Sequence, residues 1–196
     1  MEKTYLINEE TLQEFMLFLQ ENSHNMFNDY VGCDHEIMPF DQNEIINNVY
    51  KDRMSFILIS GESFNIIFRI FFNVSQFGKY VGRNIGIEES EVTDELIRDF
   101  MNEYCNLVAG SLKNIISEQL SEALGISIPI VTSGFEYLYF GLKKPATHYF
   151  FWKFTGEETE AVICVELEEL RGFKNESFNT LSNVEETQDE DDIFNF

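Results

Sequence analysis

Asp99, Glu103 and Asn106, in the stretch "DELIRDFMNEYCNLVAG" of residues 94 to 110, put two carboxylates and an amide at helix-turn spacing. None of the three is a nucleophile. A carboxylate can pair with a basic group on a partner, and an amide both donates and accepts hydrogen bonds without carrying charge. The chemistry open to such a set is charge pairing and the positioning of another group. On a helix turning about 100° per residue the three fall within roughly 60° of one another, with Gly110 in the same stripe. Ile97, Phe100, Met101, Tyr104, Leu107, Val108, Leu112 and Ile115 lie opposite, so this side should pack inward and the stripe should look outward. Gly110 weakens a helix interior by about 1 kcal/mol relative to Ala, which is consistent with the close approach of another group at that point.

The elements that must position this stripe follow from hydrophobic period and breakers. The helix should start at Thr93 as N-cap, with Asp94 and Glu95 in the first turn, and run to Leu124, with Gly125 as a left-handed cap and Pro129 beyond. An earlier helix spans Thr11 to Val31 and stops at Gly32. "SFILIS" and "FNIIFRIFFN" flank "GES" as a hairpin. Phe64, Ile66, Phe68, Ile70 and Phe72 lie on one face, with Asn65, Arg69 and Asn73 on the other. "VSQFGKYVGRNI" predicts a short helix weakened by Gly78 and Gly82. After Gly125 the period becomes two, and "ISIPIVTSG", "FEYLYFGL", "THYFFWKF" and "TEAVICVELEEL" read as strands. The fold class is therefore α+β, an antiparallel sheet with helices packed on one face. Tyr149, Phe151, Val162 and Cys164 fall on the second sheet face, so part of it should also be covered, by a partner subunit or a lone helix.

Composition narrows the function classes. The chain has 196 residues, 44% of them apolar, and a formal charge of −22. This is enough for one domain with a sizeable core. The excess of acids gives no basic footprint for nucleic acid or an anionic membrane, and favours a basic protein surface as partner. No signal-peptide or membrane-spanning run is apparent, which predicts a soluble, cytoplasmic chain. Cys33, Cys105 and Cys164 show no repeated spacing and suit reduced thiols. "CDHE" at 33 to 36 sets possible metal ligands side by side, but consecutive residues rarely converge on one ion, and a loop after a helix is the expectation. His24, His35 and His148 read as ordinary surface or core histidines. Residues 175–196 carry seven acids, no bases and no periodic apolar pattern. They read as an acidic, disordered tail after a domain of residues 1–174, with a solubilising role or, through "DDIFNF", a docking one.

"DFMNEYCNLVAG", followed by Pro129 in "ISIPIVTSG", resembles the signature of the chemotaxis phosphatases CheC, CheX and FliY: Asp or Ser, three residues, Glu, two residues, Asn, twenty-two residues, Pro. Asp99, Glu103, Asn106 and Pro129 meet every term. The resemblance implies a CheC/CheX-like fold and removal of the phosphoryl group from the aspartate of a CheY-type response regulator. It assigns Asn106 to orienting the attacking water and Glu103 to pairing with the regulator's active-site lysine. Asp99 and Gly110 are then partner-binding positions, with orienting Glu103 or a structural or purely electrostatic role as the alternatives for Asp99, and Pro129 shapes the start of a strand. The chain needs no cofactor of its own, since the magnesium sits on the regulator. Some members carry the Glu and Asn pair twice. Here Glu21 is followed three residues later by His24, and Asn25 is preceded by Asn22, so one site per chain is expected, similar to the CheX branch and its homodimers. The alternative is a module of the same fold that binds a regulator, or joins a switch complex, without turnover.

Overall fold

The computed structural model describes residues 9–41, 44, 53–120, 122–133 and 147–169. The predicted strand over 135–142 and the acidic tail from 175 lie outside the described residues.

Helix α1 (Glu9–Val31) buries Thr11, Phe15, Leu19, Ser23, Phe27 and Val31, one residue per turn, and so presents a single inward line. It stops at Gly32, whose φ of 72° is readily available to glycine. Strands β1 (Glu36–Pro39), β2 (Arg53–Ser60) and β3 (Phe64–Phe72) follow, then α2 (Val74–Ile85), held at its start by the Asn73 side chain accepting from Ser75 N and at its end by a left-handed Gly86. A single 3₁₀ turn, Glu89–Glu91, leads into α3 (Asp94–Leu120), where Thr93 Oγ1 accepts from Leu96 N at 3.3 Å as the sequence predicts. The chain ends its described course in β4 (Gly125–Ile126), β5 (Ile130–Ser133), β6 (Thr147–Thr155) and β7 (Glu160–Glu169).

These strands form one antiparallel sheet in the order β1-β6-β7-β3-β2-β4, with β5 also paired to β2. All three helices share one core with a single face of that sheet. Phe27 of α1, Phe77 of α2 and Tyr104 of α3 bury there against Phe68, Phe72 and Phe154. Part of the second face is buried as well. Met54, Phe71, Val162 and Cys164 are buried on it, flanked by Phe56, Tyr149 and Phe151. Arg69, which alternation assigns to this face, is also buried, and its guanidinium donates to the Glu166 carboxylate. A buried charge is tolerable here because it is paired.

Two sequence expectations need correction. Helix α3 ends at Leu120 rather than Leu124, and Gly125 is no helix cap but pairs with Ser60 as a strand residue. Tertiary contacts outweigh local propensity there: Glu122 Oε1 accepts from Ser63 N at 2.8 Å in the β2–β3 turn, and Leu124 is buried in the core. Gly61 makes this possible, since a Cβ on it would lie 2.6 Å from Leu124 Cδ2. Leu107, expected to pack inward, is 39% exposed, whereas Ile116 is buried and Ile115 only partly so. The core line of α3 is rotated slightly from the one drawn on the sequence.

Pro129 sits in a β-bulge. Ile126 pairs with Ile59 and Ile130 with Phe56, so three residues, Ser127, Ile128 and Pro129, oppose the two residues Ile57 and Leu58. Ser127 is anchored on both sides, its N–H donating to Leu58 O and its Oγ accepting from Leu58 N. A proline lacks the donor that a regular ladder would use, and the bulge dispenses with it.

His35 of "CDHE" is buried, its Nε2 at 2.7 Å from Thr159 Oγ1 and its Nδ1 at 3.1 Å from the Cys33 carbonyl, with its ring edge-on to Phe27. Among the described residues no three metal-ligating side chains converge. Burial holds this imidazole below its ordinary value. An unfolded chain takes up the proton near its ordinary pKa of about 6.5 while the folded chain resists it, so this contribution to stability is present above that pH and lost as pH falls. The urea midpoint of the wild type should therefore drop, relative to that of His35→Gln, between about pH 7.5 and pH 5.5. Parallel pH profiles of the two proteins would contradict this account.

Candidate functional site

Helix α3 is fixed about its own axis by what it buries. Ile97, Phe100, Met101, Tyr104, Cys105, Val108, Ala109, Leu112 and Ile116 face the core. Three hydrogen bonds secure the middle of the helix from both flanks. Tyr104 Oη donates to Ser23 O at 2.8 Å and Asn22 Nδ2 donates to Ser111 Oγ at 3.1 Å, both from the α1 side, while Ser55 Oγ of β2 donates to Asn102 Oδ1 at 2.6 Å. The outward stripe is what remains. Asp99 and Glu103 are exposed, and Asn106 and Gly110 are half-buried.

Glu103 and Asn106 touch. Asn106 Nδ2 donates to Glu103 Oε2 at 3.1 Å, so one amide hydrogen is committed to the carboxylate while Asn106 Oδ1 points elsewhere. Asp99 lies one turn before Glu103 on the same face and is not among the partners of that bond. Exposed Leu107 adds an apolar edge to the pair. The thiol on this segment, Cys105, is fully buried and its pKa is pushed up to about 12 by desolvation, so it offers no thiolate for nucleophilic attack. What the stripe can do is attract a cation through Glu103 and orient a small polar molecule through Asn106.

On α1, Glu21 and Asn25 are exposed but Asn22 is turned to Ser111 of α3, and no acid and asparagine stand there at the spacing of Glu103 and Asn106. One neighbour of the pair is not signalled by spacing at all. Tyr30, at the end of α1, stacks its ring on Phe100 at 4.2 Å between centroids. Its phenol is raised to about 12, first by burial and then by the negative charge of Glu103. It is 73 positions from Glu103 in the chain, and only the packing of α1 on α3 brings the two together.

The family model described as "Chemotaxis phosphatase CheX" matches residues 54–151, half of the chain. No curated protein matches by sequence. Among solved structures, the chemotaxis protein CheX from Vibrio vulnificus has a TM-score of 0.61 at 18% identity, covering 77% of this chain and 97% of its own. CheX of Borrelia burgdorferi, in a complex with CheY, BeF3 and Mg2+, gives a TM-score of 0.61 at 12% identity, covering 78% of this chain and 97% of that one. A CheC-like superfamily protein from Shewanella sp. PV-4 gives 0.60 at 18% identity, with 83% and 99% covered. At these identities the solved structures establish a shared fold.

Among the described residues, and apart from its chain neighbours and the backbone of its own helix, Gly110 has no atom within 4 Å of where a Cβ would stand. No packing contact among the described residues therefore requires glycine there. Gly110→Ala should stabilise the isolated protein by about 0.5–1 kcal/mol, because it removes backbone entropy from the unfolded chain without a clash in the folded one. Chemical denaturation of the two proteins measures this, and a destabilised alanine variant would refute it.

Proposed function

This chain belongs to the CheX family of chemotaxis phosphatases, and we propose that it hydrolyses the aspartyl phosphate of a CheY-type response regulator with Glu103 and Asn106. The observation that carries the reading is the outward, hydrogen-bonded pair these two residues make on a helix otherwise committed to the core. Hydrolysis forms a bond from a water oxygen to phosphorus and breaks the bond to the aspartyl oxygen, whose electron pair returns to the regulator's carboxylate. The water's protons leave to solvent and phosphate. Phosphoryl transfer of this kind relies on positioning and charge stabilisation more than on covalent chemistry, which suits a site with no nucleophile.

Asn106 orients the water. Its Nδ2 is held by Glu103, leaving Oδ1 to accept a hydrogen from a water aligned behind phosphorus, and a neutral amide does not repel the phosphoryl oxygens. Glu103 pairs with the regulator's lysine and sets the docking register. Asp99 extends the negative face toward the same partner, and Gly110 leaves room for a partner group to approach. Magnesium is placed on the regulator rather than on this chain. The site of action on this reading is the cytoplasm. Among the described residues no helix is long and apolar enough to cross a membrane.

We further propose that the chain works as a homodimer. Support comes from the sheet edge of β4 and β5, where Ile126, Ile128 and Ile130 are 36%, 79% and 48% exposed beside backbone that pairs, among the described residues, with β2 alone. An apolar edge of this kind is a template for strand pairing. Ile128→Lys should convert the dimer to a monomer in sedimentation experiments without loss of fold; a wild type already monomeric at micromolar concentration would refute the proposal.

The two residues of the pair should fail differently. Glu103→Ala should weaken capture of the phosphorylated regulator by about 1.5–3 kcal/mol, the worth of a hydrogen bond to a charged group, and slow turnover with it. Asn106→Ala should leave affinity within a few-fold while turnover falls on the order of a hundredfold. Binding and phosphate-release assays on both variants decide between phosphatase and binding module: a wild type that binds tightly but never hydrolyses, or an Asn106→Ala protein of normal turnover, would favour the module.

A further inference from the structure

Glu103 does not stand alone on its α1 side. Phe100, one turn ahead of it, is buried against the ring of Tyr30, the two rings nearly parallel at 27° and 4.2 Å apart, and Tyr104 stacks on the same ring at 6.3 Å. These contacts lay Tyr30 over the turn of α3 that presents Glu103 while leaving it half-buried, so part of the side chain faces solvent. The backbone beneath it is fixed from a third helix. Asn84 Nδ2 of α2 donates to Tyr30 O at 3.3 Å, and Arg83 Nη2 donates to Gly32 O at 3.3 Å. The last carbonyls of α1, which have no partner within their own helix, are thus taken by α2 side chains, and the cation favoured at a helix C-terminus comes from a neighbour. A tyrosine at a fraying helix end would wander; this one is held.

We propose that Tyr30 and Glu103 together form the seat for a primary ammonium group of a partner protein, the carboxylate supplying charge and the phenol oxygen a second hydrogen-bond acceptor. The inference rests on the assignment of Glu103 to a partner's lysine and adds the residue that shares the load. An ammonium has three donors, and a single carboxylate in an exposed position satisfies it poorly. A phenol beside the carboxylate remains neutral at working pH, because burial and the Glu103 charge both oppose its ionisation. It is therefore an acceptor whose own hydrogen can turn away. The rigid ring limits where the ammonium can rest, so Tyr30 acts as a specificity-determining residue: an ammonium's three rotatable donors can meet a carboxylate and a phenol oxygen at once, while a guanidinium's fixed planar fork is matched to the carboxylate alone.

The test is the affinity of a phosphorylated CheY-type regulator for the wild type and for Tyr30→Phe, which keeps the stacking on Phe100 and removes only the hydroxyl. The same pair is then measured against a regulator whose active-site lysine is replaced by alanine. Tyr30→Phe should bind the intact regulator about five- to tenfold more weakly, with the loss read in KM rather than kcat and the unfolding midpoint unchanged. Against the lysine-less regulator the difference between wild type and variant should vanish. Equal affinities for the intact regulator would overturn the seat, as would a loss that persists without the lysine or one that tracks a fall in stability. A wild type that binds but does not hydrolyse would sink the phosphatase reading and leave the seat standing or falling on these affinities. A wild type that binds no such regulator sinks both.

Discussion

The rotation of α3 about its axis is the constraint on which the rest of this molecule depends, and the buried phenol of Tyr104 does much to fix it. Its ring is fully enclosed among Phe27, Phe68 and Tyr30, and its hydroxyl has to find an acceptor there. It finds Ser23 O on α1. Turning the helix by one position would strand that hydroxyl in an apolar core. It would also carry Glu103 and Asn106 away from solvent. The same bond thus secures the core and aims the polar stripe.

The sheet behind α3 is built to hold still. One face is covered by three helices, and on the other a smaller apolar cluster is buried beside the Arg69–Glu166 pair. A charge pair in that setting adds little net stability but is costly to break, because either partner alone would be a buried, uncompensated charge. The segment that carries Pro129, between β4 and β5, lies at the edge, and in the bulge there Ile128 is 79% exposed. Local distortion at an edge leaves the central ladder intact.

A site without a nucleophile or metal set puts the burden of function on placement. The thiol nearest the stripe is inaccessible and protonated, and the histidines of the N-terminal half are engaged in structure, His24 with the His35 carbonyl and His35 with Thr159. What faces outward on α3 is charge and an amide, on a chain whose formal charge is −22. Such a surface acts through what it binds, in keeping with a family whose description joins phosphatase activity to chemotaxis.

Sequence by itself determined the α+β class, the three helices and the outward stripe. Each of these follows from local rules that act within a few turns of chain: apolar period, a Thr93 cap and a Gly32 stop. The same local rules misplace the end of α3, where Glu122 and Leu124 answer to the distant β2–β3 turn, and misassign Leu107, whose position depends on how far α3 is rotated against α1. The bulge at Pro129 was visible only as a proline in a strand, because register is set by the partner strand rather than by the bulged one. Tyr30 was wholly illegible, since nothing in a sequence measures the gap between residue 30 and residue 103. Tertiary packing decided that neighbourhood because a helix face, though fixed by local period, acquires neighbours only when long-range burial chooses which faces meet.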